Sequence, residues 1–243
     1  MSTLFISDLH LAGERPHLIQ AFIALTRNEA REAEALYILG DLFEAWLGDD
    51  AVLPDLVPVI DALKALTKSG VPVFVMAGNR DFLMGEGFEA ITGARLIDDP
   101  TVIDLYGTPT LLMHGDTLCT DDVTYQAVRA QVRDPAWIAA ALAMSIEERI
   151  KTAQQMRAQS QAHTQATAEE IMDVNADAVT EALRRHGVRR LIHGHTHRPA
   201  VHELEIDGQP ATRIVLGDWY QQASLLRCDE SGCERVSTSQ HKR

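Results

Sequence analysis

Thr3-Leu4-Phe5-Ile6-Ser7-Asp8-Leu9-His10 sets a short apolar run directly before an aspartate and a histidine two positions apart. The arrangement recurs along the chain. Leu36-Tyr37-Ile38-Leu39 precedes Gly40-Asp41, Val73-Phe74-Val75-Met76 is followed by Gly78-Asn79-Arg80-Asp81, and Thr110-Leu111-Leu112-Met113 precedes His114-Gly115. A weaker fifth run, Arg190-Leu191-Ile192-His193, leads into Gly194-His195-Thr196-His197. Short apolar runs bounded by turn residues predict strands buried on both faces of an α/β domain. In open α/β sheets ligands bind beyond the carboxyl ends of the strands, so polar residues placed there by separate runs can converge on one point.

Asp, His, Asp, Asn, His, His and His supply carboxylate, imidazole and amide oxygen, a set suited to a hard or borderline divalent ion, Mn2+ especially. Seven ligands are too many for one catalytic ion that must leave positions open for water and substrate. They fit two ions sharing a bridging carboxylate, the arrangement that clamps the attacking and leaving oxygens of an in-line displacement. Singly, each block is more commonly a turn, a helix cap or a solvated loop; it is their order that points to a site.

The order D-x-H, G-D, G-N-[HR], H and G-H-x-H, from residue 8 to 197, resembles the signature of the calcineurin-like metallophosphoesterase superfamily. That resemblance implies an α+β sandwich of the calcineurin-like phosphoesterase type. It implies two Mn2+ per chain, one held by Asp8, His10, Asp41 and His197 and the other by Asp41, Asn79, His114 and His195, with Asp41 bridging. Asp41, Asn79, Arg80 and His195 would then be the catalytic residues. His193 would point away from His195 and His197 if the strand continued, and reads as a packed residue.

Arg80 narrows the chemistry. Many members of the superfamily have His after the Gly-Asn, where it protonates a leaving alkoxide. A guanidinium cannot give up a proton at physiological pH but grips phosphate oxygens bidentately. Losing the acid is tolerable when the leaving group is itself a phosphate, which favours a diphosphate bond. The competing reading pairs Arg80 with Asp81 or Asp116. Beyond these blocks, Leu42-Phe43-Glu44-Ala45-Trp46, Ile171-Met172-Asp173-Val174-Asn175 and Gly217-Asp218-Trp219 are similar to the pyrophosphohydrolase branch of lipid A biosynthesis. That similarity implies a UDP-diacylglucosamine lipid substrate, split to UMP and a diacylglucosamine 1-phosphate.

At 243 residues one domain is expected, large enough to bury about three quarters of its unfolded surface. A net charge of −13 argues against coating nucleic acid, which depends on Lys and Arg at phosphates. Without a run of eighteen apolar residues or a signal peptide, the chain is expected to stay in the cytoplasm. Cys119, Cys228 and Cys233 have no zinc-type spacing and are expected to be reduced thiols.

The interval between Met113 and Leu191 is too long for a structureless loop. Residues 122 to 190 carry nine basic and nine acidic residues, so the acidic excess lies elsewhere. The stretch is rich in Ala, Gln, Glu, Arg and Met, with apolar residues at helical spacing: Tyr125, Val128 and Val132, then Ile138, Ala141, Leu142 and Ser145. Pro135 is expected in the first turn of a helix after Asp134. The reading is a metallophosphoesterase core of residues 1–121 and 171–236, a helical cap at 122–170, a crossover helix from Asp173 to His186, and a disordered tail at 237–243.

Trp137, Leu142, Met144, Ile146, Ile150 and Met156 either pack the cap helices together or face acyl chains. The family's substrate contacts fall on Asn79, Arg80, Asp122, Ser160, Thr164, Thr167 and His195. Thr167 departs from the Lys that relatives often have there, and His163 is the substitute cation the stretch offers. A diacylated substrate lives in a bilayer, and a charge-neutral, Arg-bearing cap on an acidic protein suits peripheral attachment to the inner face of the cytoplasmic membrane. No obligate protein partner is inferred. Two other readings remain at this point: a soluble phosphodiesterase or phosphatase on the same core, and a non-catalytic metal-binding scaffold.

Overall fold

The computed structural model describes residues 2–168, 171–220 and 223–238. Among them the strands form two sheets. The first has six strands in the order β11 (Gly232–Thr238), β10 (Ala223–Asp229), β1 (Thr3–Ile6), β2 (Ala35–Leu39), β3 (Val73–Met76) and β4 (Arg95–Ile97). The second has β5 (Thr101–Leu105), β6 (Thr108–Met113), β7 (Arg190–His193), β9 (Gln209–Val215) and β8 (Ala200–Ile206). Each sheet has a parallel centre: β1 through β4 in one, β6, β7 and β9 in the other. The five apolar runs are thus strands as expected, but they divide between two sheets.

The period of two along a strand explains the layering. In β1, Leu4 and Ile6 face a helical layer of α1 (Pro16–Arg27), α2 (Val57–Lys68) and α3 (Glu86–Thr92), whereas Phe5 faces the second sheet. Phe5, Tyr37 and Phe74 stack across β1, β2 and β3 with ring centroids 5.1 and 4.7 Å apart. Opposite them Leu112, Ile192 and Ile214 complete the core between the sheets. On the outer face of the second sheet, Leu111, Leu191 and Ala211 bury Val179 and Leu183 of α7 (Ala176–His186).

The long interval holds α4 (Val123–Val132), α5 (Pro135–Leu142) and α6 (Ile146–Ala166) before α7 crosses back to β7. Asp134 caps α5 with Pro135 in its first turn, as read from sequence. Ser145 does not continue that helix. It starts α6 in a capping box with Glu148, which supplies the N-terminal signal that fixes the helix register. Residues 169 and 170 of the expected cap lie outside the described residues.

Two expectations need correction. Cys228 and Cys233, read as free thiols, are disulfide-bonded; they are register partners on the β10–β11 hairpin, a pairing that brings the two side chains together across the strands. Only Cys119 is free, and it is buried. The C-terminal boundary also shifts, because β11 runs through Thr238 rather than stopping at Val236. The rest of the expected tail, residues 239–243, lies outside the described residues.

Candidate metal centre

Every block leaves the carboxyl end of a parallel strand. Asp8 and His10 follow β1, Asp41 follows β2, Asn79 follows β3, His114 follows β6, and His195 and His197 follow β7. The two sheets therefore deliver ligands from opposite sides of their shared core. The loops are held in an uncommon backbone conformation. Asp8, His10, Asp41, His195 and His197 all have φ between 47° and 68°, while the other non-glycine residues of this kind, Tyr106 and Asp207, sit in hairpin turns. Left-handed backbone of this sort persists only where surrounding structure enforces it, and it concentrates at functional sites. Gly78 and Gly194 allow the loops to close, because a Cβ on Gly78 would run into Asp41 and one on Gly194 into Ser7 and Asp8.

The oxygens of Asp8 are divided. Oδ2 accepts from Ser7 Oγ at 2.6 Å and from the His195 amide at 2.9 Å. Oδ1 is buried with no aligned donor, 3.4 Å from His197 Nε2. His10 and His197 point their Nε2 atoms at one another across 3.4 Å, and His10 Nδ1 is buried with no hydrogen-bond partner, 3.8 Å from Glu44 Oε2. Asp41 faces both halves of the cluster, with Oδ2 3.8 Å from His10 Nε2 and Oδ1 3.8 Å from His114 Nε2. The Arg80 amide donates to Asp41 Oδ1 at 2.8 Å. His114 Nδ1 lies 3.0 Å from the Leu39 carbonyl, which places a proton on Nδ1 and turns Nε2 inward. That nitrogen and His195 Nδ1 each lie 3.0 Å from Asn79 Oδ1.

Lone pairs aimed at one another and buried atoms without donors are the arrangement a cation resolves. One atom each from Asp8, His10 and His197, and one each from Asp8, Asp41 and His114, come within 4.8 Å of one another, so both groups could hold an ion. The electrostatics point the same way. Burial pushes the Asp41 carboxyl up to about 7, with the charges of Asp81 and Asp8 adding to it. Burial would raise Asp8 too, but the neighbouring His197 holds it well below the usual carboxylate range. Burial opposes a charge on His114, yet Asp41, Asp116 and Asp8 bring it to about 9. Burial drives His195 down to about 3, with His114 adding to the effect.

Several groups to which the sequence reading gave another role, or none, set this geometry. Asp81 is fully buried and does not pair with Arg80; its oxygens accept from the Gly78 and Phe43 amides and so shape the Gly-Asn loop. Asp116 takes Arg129 of α4 at 2.7 Å instead of Arg80. Asp218 Oδ2 lies 3.7 Å from His197 Nδ1, and Tyr220 stacks on His10 at 5.3 Å. His193 is buried on the outer face, its Nδ1 2.9 Å from the Gly194 carbonyl.

Beside the ligands opens a cavity of about 710 Å3, walled by core loops and by α4, α5 and α6. Asn79 and Arg80 line it, as do Ser160 and His163. Arg80 Nη2 reaches Ser160 Oγ at 3.4 Å, and its Nε is buried with no partner. Trp137, Met144, Ile150 and Met156 give the cavity its apolar wall, whereas Leu142 and Ile146 are exposed outside it. Asp122 caps α4 and takes His163 Nε2 at 2.7 Å, so the expected substitute cation already has a carboxylate partner. Thr167 Oγ1 lies 3.5 Å from the same imidazole. Thr164 is exposed, its hydroxyl bonded back to the Ser160 carbonyl.

A sandwich of two sheets with candidate metal ligands gathered at their carboxyl ends is the arrangement expected of a metal-dependent phosphoesterase. A family model described as calcineurin-like phosphoesterase matches residues 1–199, and the chain belongs to that family, whose members depend on a dinuclear metal centre. Among its relatives, a protein of Stenotrophomonas maltophilia named UDP-2,3-diacylglucosamine hydrolase is 53% identical over 239 residues, covering 96% of both chains. A protein of the same name from Xanthomonas oryzae pv. oryzae is 54% identical over 96% of this chain and 97% of its own. A solved archaeal phosphodiesterase aligns over 98% of this chain and all of its own, with a TM-score of 0.48 and 13% identity.

Proposed function

We propose that the chain hydrolyses the diphosphate bond of UDP-2,3-diacylglucosamine, giving UMP and 2,3-diacylglucosamine 1-phosphate, a step of lipid A biosynthesis. The observation that carries this reading is the position of Arg80. Its amide holds the Asp41 carboxylate while its guanidinium lines the apolar cavity, so one residue joins the ligand cluster to a space fit for acyl chains. Relatives of that name at more than half identity support the substrate.

Asp8, His10, Asp41 and His197 would hold one Mn2+, and Asp41, Asn79, His114 and His195 the other. When bound, the ions supply an acidified water and neutralise charge on the phosphates. Arg80 grips the non-bridging oxygens and lends no proton, which suits a phosphate leaving group. Ser7 and the His195 amide orient Asp8, and Leu39 fixes the His114 tautomer. The described residues of the cap, 122–168, cover the core, with Ser160, Asp122, Thr164 and Thr167 on its polar side.

No helix among the described residues is long and apolar enough to cross a membrane. The exposed Val123, Val128, Leu142, Met144 and Ile146 of the cap suit peripheral contact with the cytoplasmic face of the inner membrane. Failure to bind anionic vesicles, with or without substrate, would overturn that contact. The activity is tested by comparing turnover, with Mn2+, of UDP-2,3-diacylglucosamine, a non-acylated UDP-sugar and p-nitrophenyl phosphate. Equal turnover of all three refutes the acyl-specific reading. Arg80→Ala is expected to keep the metals and lose turnover by about 10²-fold or more; intact turnover would refute the phosphate clamp.

A further inference from the structure

A second cavity, of about 320 Å3, lies against the loop that carries His195 and His197 but is lined by neither of them. Thr196 and Arg198 of that loop wall one side, and His202 and Arg213, register partners on β8 and β9, form the floor. Asp173 closes it from the segment that returns toward α7.

Two arginines, a histidine and one carboxylate line this cavity. Arg198 Nη1 meets Asp173 Oδ2 at 2.8 Å, which accounts for the carboxylate. Arg213 is half-buried, and its hydrogen bond among the described residues is to His193 Nε2, at 3.4 Å. No carboxylate within ion-pair distance answers its charge among those residues. Burial lowers the pKa of Arg213 and, with Arg213 beside it, that of His202. Thr196 Oγ1 is buried without any hydrogen-bond partner. A guanidinium half withdrawn from water, with Asp173 acting on it only from beyond ion-pair distance, is incompletely compensated, and a hydroxyl left unbonded adds to the cost.

We infer that this cavity is a second oxyanion site, taking a phosphate group on the guanidinium of Arg213, with Thr196 Oγ1 and the His202 imidazole as its other contacts. A planar fork beside a hydroxyl matches a phosphate's several acceptor oxygens. The site shares the Thr196 loop with two candidate metal ligands and shares Asp173 with the return of the helical segment. An anion bound there ties those two parts together. The phosphate comes either free from solution or on the head group of an anionic lipid.

Equilibrium dialysis of the metal-loaded full chain against labelled inorganic phosphate tests the site. Chelation should remove phosphate bound at the ions and leave the Arg213 equivalent in place. Arg213→Gln should weaken that remaining equivalent at least about 10-fold, equal to about 1.4 kcal/mol, with circular dichroism unchanged. If Arg213→Gln does not fold, His202→Ala decides, with a weakening of about threefold or more expected. Chelated wild-type protein that binds no phosphate, or variants that bind it as wild type does, overturn the inference. Failure of the two-metal reading looks different: the chelator-sensitive equivalent is missing while the Arg213 equivalent stays. Competition by phosphatidic acid vesicles but not by phosphatidylcholine vesicles identifies a lipid head group as the source. Absence of competition identifies free phosphate.

Discussion

Arg149→Met is expected to undock the helical segment while leaving the core intact. All five N–H groups of Arg149 are bonded: Nε to the Met144 carbonyl, Nη1 to the Leu47 carbonyl and Asp50 Oδ1, Nη2 to Asp50 Oδ2 and the Leu142 carbonyl. The guanidinium thereby ties the end of α5 and the start of α6 to the loop after β2. Methionine keeps an apolar stem and removes every donor. Asp50 is 61% exposed, so its ion pair is worth no more than about 1 kcal/mol after solvent screening. Three bonds to carbonyls from a side chain only 7% exposed add about 1 kcal/mol each. The Leu47 bond and the Asp50 pair reach the core, whereas the Met144 and Leu142 carbonyls belong to the helical segment itself, so docking should weaken by roughly 2 kcal/mol, which lowers amide protection around residues 135–153 about 30-fold. Hydrogen exchange followed by mass spectrometry reads this directly. Unchanged exchange in that segment would refute the ledger. Equal loss through β1, β2 and β3 would refute the independence of the segment.

Asp41→Ala should bring bound metal, measured by elemental analysis, to less than one ion per chain and abolish turnover, since that carboxylate faces both halves of the cluster. Gly78→Ala should retain the fold by circular dichroism yet lose metal and activity, because the added methyl collides with Asp41. Phe5→Ala removes the first ring of the stack between the sheets and should cost about 3–5 kcal/mol in urea unfolding; a loss below 1 kcal/mol would contradict the packing.

Legibility in the sequence followed burial. β1, β2, β3, β6 and β7 show as apolar runs because both faces are covered, as Leu4 and Phe5 illustrate on opposite sides of one strand. β8 is not legible in that way: Val201, Glu203 and Glu205 are exposed, and the strand reads as mixed polar sequence. The same holds for the outer part of β9. The candidate ligands could be picked out because each stands at the end of a legible strand. Asp81, Asp116, Arg129 and Arg149 were not, since their partners lie in other loops and no local pattern marks a side chain that bonds a distant backbone. The Cys228–Cys233 pairing was hidden for a related reason, as it depends on hairpin register.

The Asp8 carboxylate and the His195 amide that bonds it are 187 positions apart, one at the first strand of one sheet and the other beyond the third strand of its partner. During synthesis the chain therefore presents Asp8, Asp41 and Asn79 to the cell well before His195 and His197 exist. β1 is then also without its neighbour β10, which is translated later still. An ion held by Asp8, His10 and His197 can report only a chain that has passed β7. A nascent chain halted before β7 lacks that group, and its occupancy would mark the moment when the two halves of the molecule have closed on each other.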